Sequence, residues 1–200
     1  MKVIVTGFEP FGAYKVNTSQ LILNELDSNI KKVVLPVSYK KVVKIIDDLF
    51  TESPDIFLML GLAPSSTSIK LESIALNIAH SYLPDNEGIK KTNSIIFQSS
   101  PLALRTNVDI QNIHMVLLTN KIPCVISYHA GTYLCNYSYY IALHKVYEKK
   151  INTKVLFIHV PNATETILDN PSKPSLPLEM LIKAINIILE TLSKEEKYEN

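Results

Sequence analysis

Two hundred residues suit one domain, and 46% hydrophobic against 20% charged side chains are enough to bury a core. A formal net charge of +1, from 20 basic and 19 acidic side chains, leaves no basic surplus for a phosphate backbone, which argues against nucleic-acid binding. No apolar run nears the ~18 residues that cross a bilayer, and Met1-Lys2-Val3-Ile4-Val5 has the pattern of a strand rather than a signal peptide, so the expectation is a cytoplasmic protein away from membranes.

In chain order, Lys2–Val5 is a predicted strand. Leu21–Leu26 carries a helical stripe that Asn17, Thr18 or Ser19 can cap. Lys32–Val37 is a second strand, and Val42, Val43, Ile45, Ile46, Leu49 and Phe50 form the buried stripe of a helix. Asp55–Leu60 is a near-continuous apolar run ending at Gly61, the pattern of a strand covered on both faces. Ile69–Ala79 alternates loosely, as a strand with an irregularity, and Pro84, Asp85, Asn86 and Gly88 signal a turn. A helix over Ile110–Thr119, a short strand over Cys124–Ser127 and a long helix opened by Gly131 follow. Lys154–Val160 is another buried-type strand. Pro161–Pro177, with four prolines, is a loop before a final helix over Leu178–Leu192. Lys194–Asn200 is a solvated, fraying end. Alternating strands and helices predict an α/β fold over residues 1–200: a single domain with a mainly parallel twisted sheet flanked by helices. Active sites in such folds gather at C-terminal strand ends, where three of the segments below fall.

Only Cys124 and Cys135 occur, and without a secretion signal a structural disulfide is not expected. Cys124 sits in an apolar strand, as a core cysteine would. Cys135, in Ala130-Gly131-Thr132-Tyr133-Leu134-Cys135-Asn136, falls in the first turns of a helix. The unpaired N–H groups there favour a thiolate and can receive an oxyanion. His159 ends the apolar run Val155-Leu156-Phe157-Ile158, placed to reach a cleft as a general base or to serve the structure. His129, close to Cys135 in sequence, competes with it; His80, His114 and His144 are weaker rivals. Glu72 is the only carboxylate between Asp55 and Asp85. It either partners a buried histidine or faces solvent on an edge strand. Phe8 and Phe11 bracket a turn after the first strand and could cap the core or wall a pocket for a flat ring. No zinc-type spacing or glycine-rich phosphate loop is present.

Taken together, four stretches resemble the type I pyroglutamyl peptidases, also called pyrrolidone-carboxylate peptidases. They are Thr6-Gly7-Phe8-Glu9-Pro10-Phe11-Gly12 with Asn17 at a matching distance; Leu71-Glu72 with Ala75, Asn77 and the turn Pro84-Asp85-Asn86-Glu87-Gly88; Ala130–Tyr137; and Phe157-Ile158-His159-Val160-Pro161. The resemblance implies a cysteine peptidase that needs no cofactor or metal. Cys135 would be the nucleophile, His159 its base and Glu72 the orienting acid. Phe8, Phe11 and Asn17 would bind substrate. The substrates would be peptides with an N-terminal pyroglutamate, and the assembly a homotetramer. It also prefers His159 to His129.

Departures accompany the match. The family usually has Gly-Gly-Arg where this chain has Pro64-Ser65-Ser66, an arginine after the glutamate where it has Ser73, and an arginine before the turn where it has Tyr82. Asn162-Ala163-Thr164 also diverges. These losses motivate a second reading, a non-catalytic relative that binds blocked peptide ends. A third, a nucleoside phosphorylase-like transferase, is opposed by the missing phosphate loop.

Overall fold

The computed structural model describes residues 1–194. In chain order it contains β1 (Val3–Phe8), α1 (Thr18–Glu25), β2 (Lys31–Leu35), α2 (Tyr39–Thr51), β3 (Ile56–Leu62), β4 (Ile69–Glu72) and β5 (Ile74–Leu76). Then follow β6 (Ala103–Arg105), α3 (Ile110–Thr119), β7 (Cys124–Ser127), α4 (Leu134–Lys149), β8 (Lys154–Val160), β9 (Asn162–Ala163), a 3-10 turn (Thr164–Thr166), β10 (Ser175–Leu176) and α5 (Leu178–Lys194). Apart from Lys194, the charged run expected to be a solvated end lies outside the described residues. No helix among them is long and apolar enough to cross a membrane.

The main sheet has the order β2-β1-β3-β8-β4-β7. β2, β1, β3 and β8 are parallel, as the continuous apolar runs of β1, β3 and β8 require; buried on both faces, these strands have no polar side to show. β4 runs antiparallel to β8, and β7 follows β4. The reversal has a simple cause. Only residues 63–68 link β3 to β4, whereas a parallel return needs a crossover of a dozen or more. The expected grouping of site segments at C-terminal strand ends therefore needs a correction. It holds for the loop after β1 and for His159, but β7 begins near the edge where β8 finishes.

Side-chain alternation divides the core. Val5, Leu58, Leu60, Leu156 and Ile158 pack against α1, α3 and α5 on one face. Ile4, Phe57, Met59, Val155 and Phe157 pack against α2 and α4 on the other. Capping follows the sequence: Asn17 accepts from Ser19 N, Ser38 from Lys41 N, and Asp109 from Gln111 N and Asn112 N. The predicted irregularity in Ile69–Ala79 falls at Ser73. Its N–H donates to Ser127 O and its carbonyl accepts from Thr106 N. There β5 leaves the main sheet to pair with β6, a strand too short and exposed to have shown in the pattern. The proline-rich segment likewise holds the short β9–β10 pair inside its predicted loop.

Candidate active site

The site grows from one row across the sheet. Gly61 on β3 pairs with His159 on β8. On the α4 face, Gly61 has no side chain, and the space above it is taken by the Cys135 thiol. A Cβ at Gly61 would stand 2.9 Å from Cys135 Sγ and 2.8 Å from Phe157 Cζ. Gly131, at φ +76°, turns the chain into α4. The helix then leads back to the start of β8, so its N-terminus faces the C-terminal ends of β3 and β8. The N-cap, Tyr133, makes no side-chain cap, which leaves first-turn N–H groups beside Cys135 for an anion.

Asn136 locks this helix end in place. Fully buried, its Nδ2 donates to Leu76 O (2.9 Å) and Ile78 O (3.0 Å), and its Oδ1 accepts from Leu76 N at 2.8 Å. Asn136→Ala strands three backbone groups and should cost about 2–4 kcal/mol. That would appear as a lower denaturation midpoint in urea with an unchanged m-value.

His159 lies between the thiol and an acid. Its Nδ1 is 2.7 Å from Glu72 Oε1, and Cys135 lies close enough on its other side to act on its charge. Glu72 is 1% exposed on an interior strand, so its alternative reading as a solvent-facing edge residue falls. Tyr139 OH donates to Glu72 O at 2.9 Å and fixes the strand beneath. Burial by itself pushes His159 down. The nearby Cys135, then Glu72 with its hydrogen bond, outweigh it and raise the pKa from 6.5 to about 9. A folded-state pKa above the unfolded one means stability fully present below pH 6.5 and lost as pH rises through about 9. Thermal midpoints measured across that window should fall in the wild type and fall less in Glu72→Gln.

Next to Cys135 is a small, mostly apolar pocket lined by Phe8, Phe11, Asn17, Val37, Leu62, Tyr133, Leu134 and Cys135. Asn17 lines it, but its side chain is already occupied. Nδ2 donates to Glu9 O, and Oδ1 accepts from Ser19 N and Ser19 Oγ. Ser19 Oγ in turn accepts from Phe8 N. Asn17 thus holds the phenylalanine loop in shape. The 84–88 turn closes over it: Tyr133 OH donates to Pro84 O, and Glu9 Oε1 accepts from Val37 N and Asn86 Nδ2.

A family model for pyroglutamyl peptidase matches residues 1–195. The chain belongs to that family. Among relatives, the pyrrolidone-carboxylate peptidase of Thermococcus kodakarensis is 38% identical, over 98% of this chain and 99% of the relative. That of Pyrococcus furiosus is 37% identical, again over 98% and 99%. Solved structures agree. Pyrrolidone carboxyl peptidase from Thermococcus litoralis superposes at a TM-score of 0.89 with 35% identity, covering 100% of this chain and 98% of that one. The enzyme from Fervidobacterium islandicum AW-1 gives 0.91 with 36% identity, covering 97% and 99%.

Within this pyroglutamyl peptidase fold, Cys135, His159 and Glu72 meet, and Phe8, Phe11 and Asn17 line the adjoining pocket. The rival histidines are engaged elsewhere. His129 is exposed, with Nδ1 accepting from Gly131 N; His80 Nδ1 accepts from Asn93 N; His144 Nε2 is 2.9 Å from Ser100 Oγ. His114 lies on α3, which packs on the opposite face of the sheet. Both cysteines are free thiols, and burial pushes Cys124 up to about 11. Where the family commonly carries arginines, Ser66 is buried with its Oγ bonded to Ser68 O, Ser73 is buried, and Tyr82 is 87% exposed. Sequence reasoning missed Gly61, Tyr133 and Asn136. The glycine ending an apolar run was a visible signal for the first. The other two lay inside the nucleophile segment without a chemistry of their own.

Proposed function

We propose that the protein is a pyroglutamyl peptidase that removes an N-terminal pyroglutamyl residue from peptides, with Cys135, His159 and Glu72 as its catalytic groups. The observation that carries this reading is the meeting of three features in one place. The thiol sits over Gly61, His159 is bonded to Glu72 and close enough to Cys135 to feel its charge, and an apolar pocket adjoins the thiol. His159 holds the proton taken from Cys135, and Glu72 steadies the imidazolium. The thiolate attacks the pyroglutamyl carbonyl, and first-turn N–H groups of α4 receive the oxyanion. His159 then gives its proton to the leaving amine, and water hydrolyses the thioester. The uncharged lactam suits a pocket walled by Phe8 and Phe11. Phe11→Ala should raise KM for a pyroglutamyl amide about tenfold with a smaller change in kcat, because it removes binding rather than chemistry. The resemblance extends this reading to a cytoplasmic homotetramer, which light scattering on the purified protein tests.

The decisive assay is release of a fluorescent amine from a pyroglutamyl amide, with a prolyl amide, which lacks the lactam carbonyl, as control. Release from the first alone supports the reading. No release by folded protein between pH 5 and 9 under reducing conditions would favour the non-catalytic binder, which the loss of arginines at Ser66, Ser73 and Tyr82 motivates.

A further inference from the structure

The row that builds the site continues past His159. Gly61 on β3 pairs with His159 on β8, His159 with Lys70 on β4, and Lys70 with Val125 on β7. The register is continuous through Lys70-Leu71-Glu72. Residues two apart on a strand share a face. Glu72 reaches His159 on the α4 side, and Ile69 and Leu71 pack into the opposite core, so Lys70 also faces the α4 side. It stands directly across from His159, one strand spacing of about 4.8 Å away. Lys70 is partly exposed, and its ammonium makes no ion pair among the described residues.

The order of parts across the sheet gives the substrate a direction. The acyl pocket lies over the ends of β1 and β3 with Phe8 and Leu62, the thiol over Gly61 on β3, and the proton donor on β8. A leaving amine that takes its proton from His159 departs on the β8 side, away from the pocket. The next group along that line is Lys70. A partly desolvated ammonium with no ion pair among the described residues attracts an anion there. On a peptide substrate, the anion nearest the leaving nitrogen is a carboxylate one Cα away or on the first leaving side chain.

We infer that Lys70 forms a leaving-side subsite that selects pyroglutamyl substrates carrying a carboxylate on the residue after pyroglutamate. This rests on the proposed reaction. Two sources share the chemistry: the α-carboxylate of a pyroglutamyl dipeptide, and an acidic side chain in a longer peptide. Pyroglutamyl-alanine, pyroglutamyl-alaninamide and pyroglutamyl-glutamate blocked as its α-amide separate them.

Wild-type enzyme should cleave at least one of the two carboxylate substrates with kcat/KM about fivefold above the uncharged amide, as a partly exposed ion pair allows. The favoured one identifies the source. The ratio should fall to about one in Lys70→Met, persist in Lys70→Arg, and shrink at 0.5 M salt through screening, roughly a 4 Å Debye length. Cleavage of the uncharged amide with no carboxylate preference, or a preference that survives in Lys70→Met, would overturn the subsite and leave the reaction standing. No cleavage of any of the three by folded wild type would remove the reaction, and the subsite with it.

Discussion

Replacing Cys135 with alanine should lower kcat on a pyroglutamyl amide by at least about 10⁴-fold, because in the proposed mechanism the thiol is the bond-forming group and nothing nearby can substitute for it. The other cysteine cannot. Cys124 lies on β7 within the core of the opposite face, and burial keeps it a neutral thiol, up at about 11. Cys124→Ala should therefore keep its activity and lose only packing stability, about 1–2 kcal/mol. The partly exposed Cys135 side chain makes Cys135→Ala nearly neutral for folding, so thermal unfolding separates a dead enzyme from an unfolded one. Residual turnover above about 1% in Cys135→Ala would assign the nucleophile elsewhere. Alkylation gives a second readout: in Cys124→Ala, one iodoacetamide equivalent should abolish turnover, and a pyroglutamyl ligand filling the pocket should slow the reaction.

The second large effect is expected where no reactive group is changed. Gly61→Ala places a methyl 2.9 Å from Cys135 Sγ and 2.8 Å from Phe157 Cζ. Phe157 cannot yield. It is fully buried, with its ring centroid 5.6 Å from that of Tyr139 and 4.9 Å from that of His159. The thiol must move instead, away from His159 and from the first turn of α4. Misplacement by about 1 Å costs on the order of 10²-fold in rate, while the strained packing costs about 1–3 kcal/mol. The signature is a fall in kcat larger than the loss of stability explains, with slower alkylation of Cys135 in a Cys124→Ala background. A Gly61→Ala enzyme with wild-type kcat would show that the thiol has room to relocate, and the close approach over β3 would lose its importance.

Much of this molecule is legible without coordinates. Hydrophobic periodicity marks β1, β3, β8, α2 and α5, because a buried strand or an amphipathic helix writes its neighbours into its own spacing. The caps at Asn17, Ser38 and Asp109 are local, so their residue types show them. The short link between β3 and β4 already forbids a parallel return, although the reading of the sheet as mainly parallel did not use it. Cys135 stands out from Cys124 by its place at a helix start, again a local property. Which histidine and which acid serve it is not local. His159 and Glu72 are 87 residues apart and meet only because β4 descends beside β8 in one particular register. A one-residue slip would have turned Glu72 into the opposite core, and no feature of residues 69–72 alone states that register. The same pairing sets Lys70 across from His159, and the pairing of β3 with β8 gives Gly61 its purpose as the gap that admits the thiol. The sequence by itself determined the long elements, the fold class and the position of Cys135 at a helix N-terminus, but not the short pairs β5–β6 and β9–β10. Only the tertiary structure decided which side chains share one row of the sheet, because cross-strand register is set by the packing of both faces together and not by any single strand.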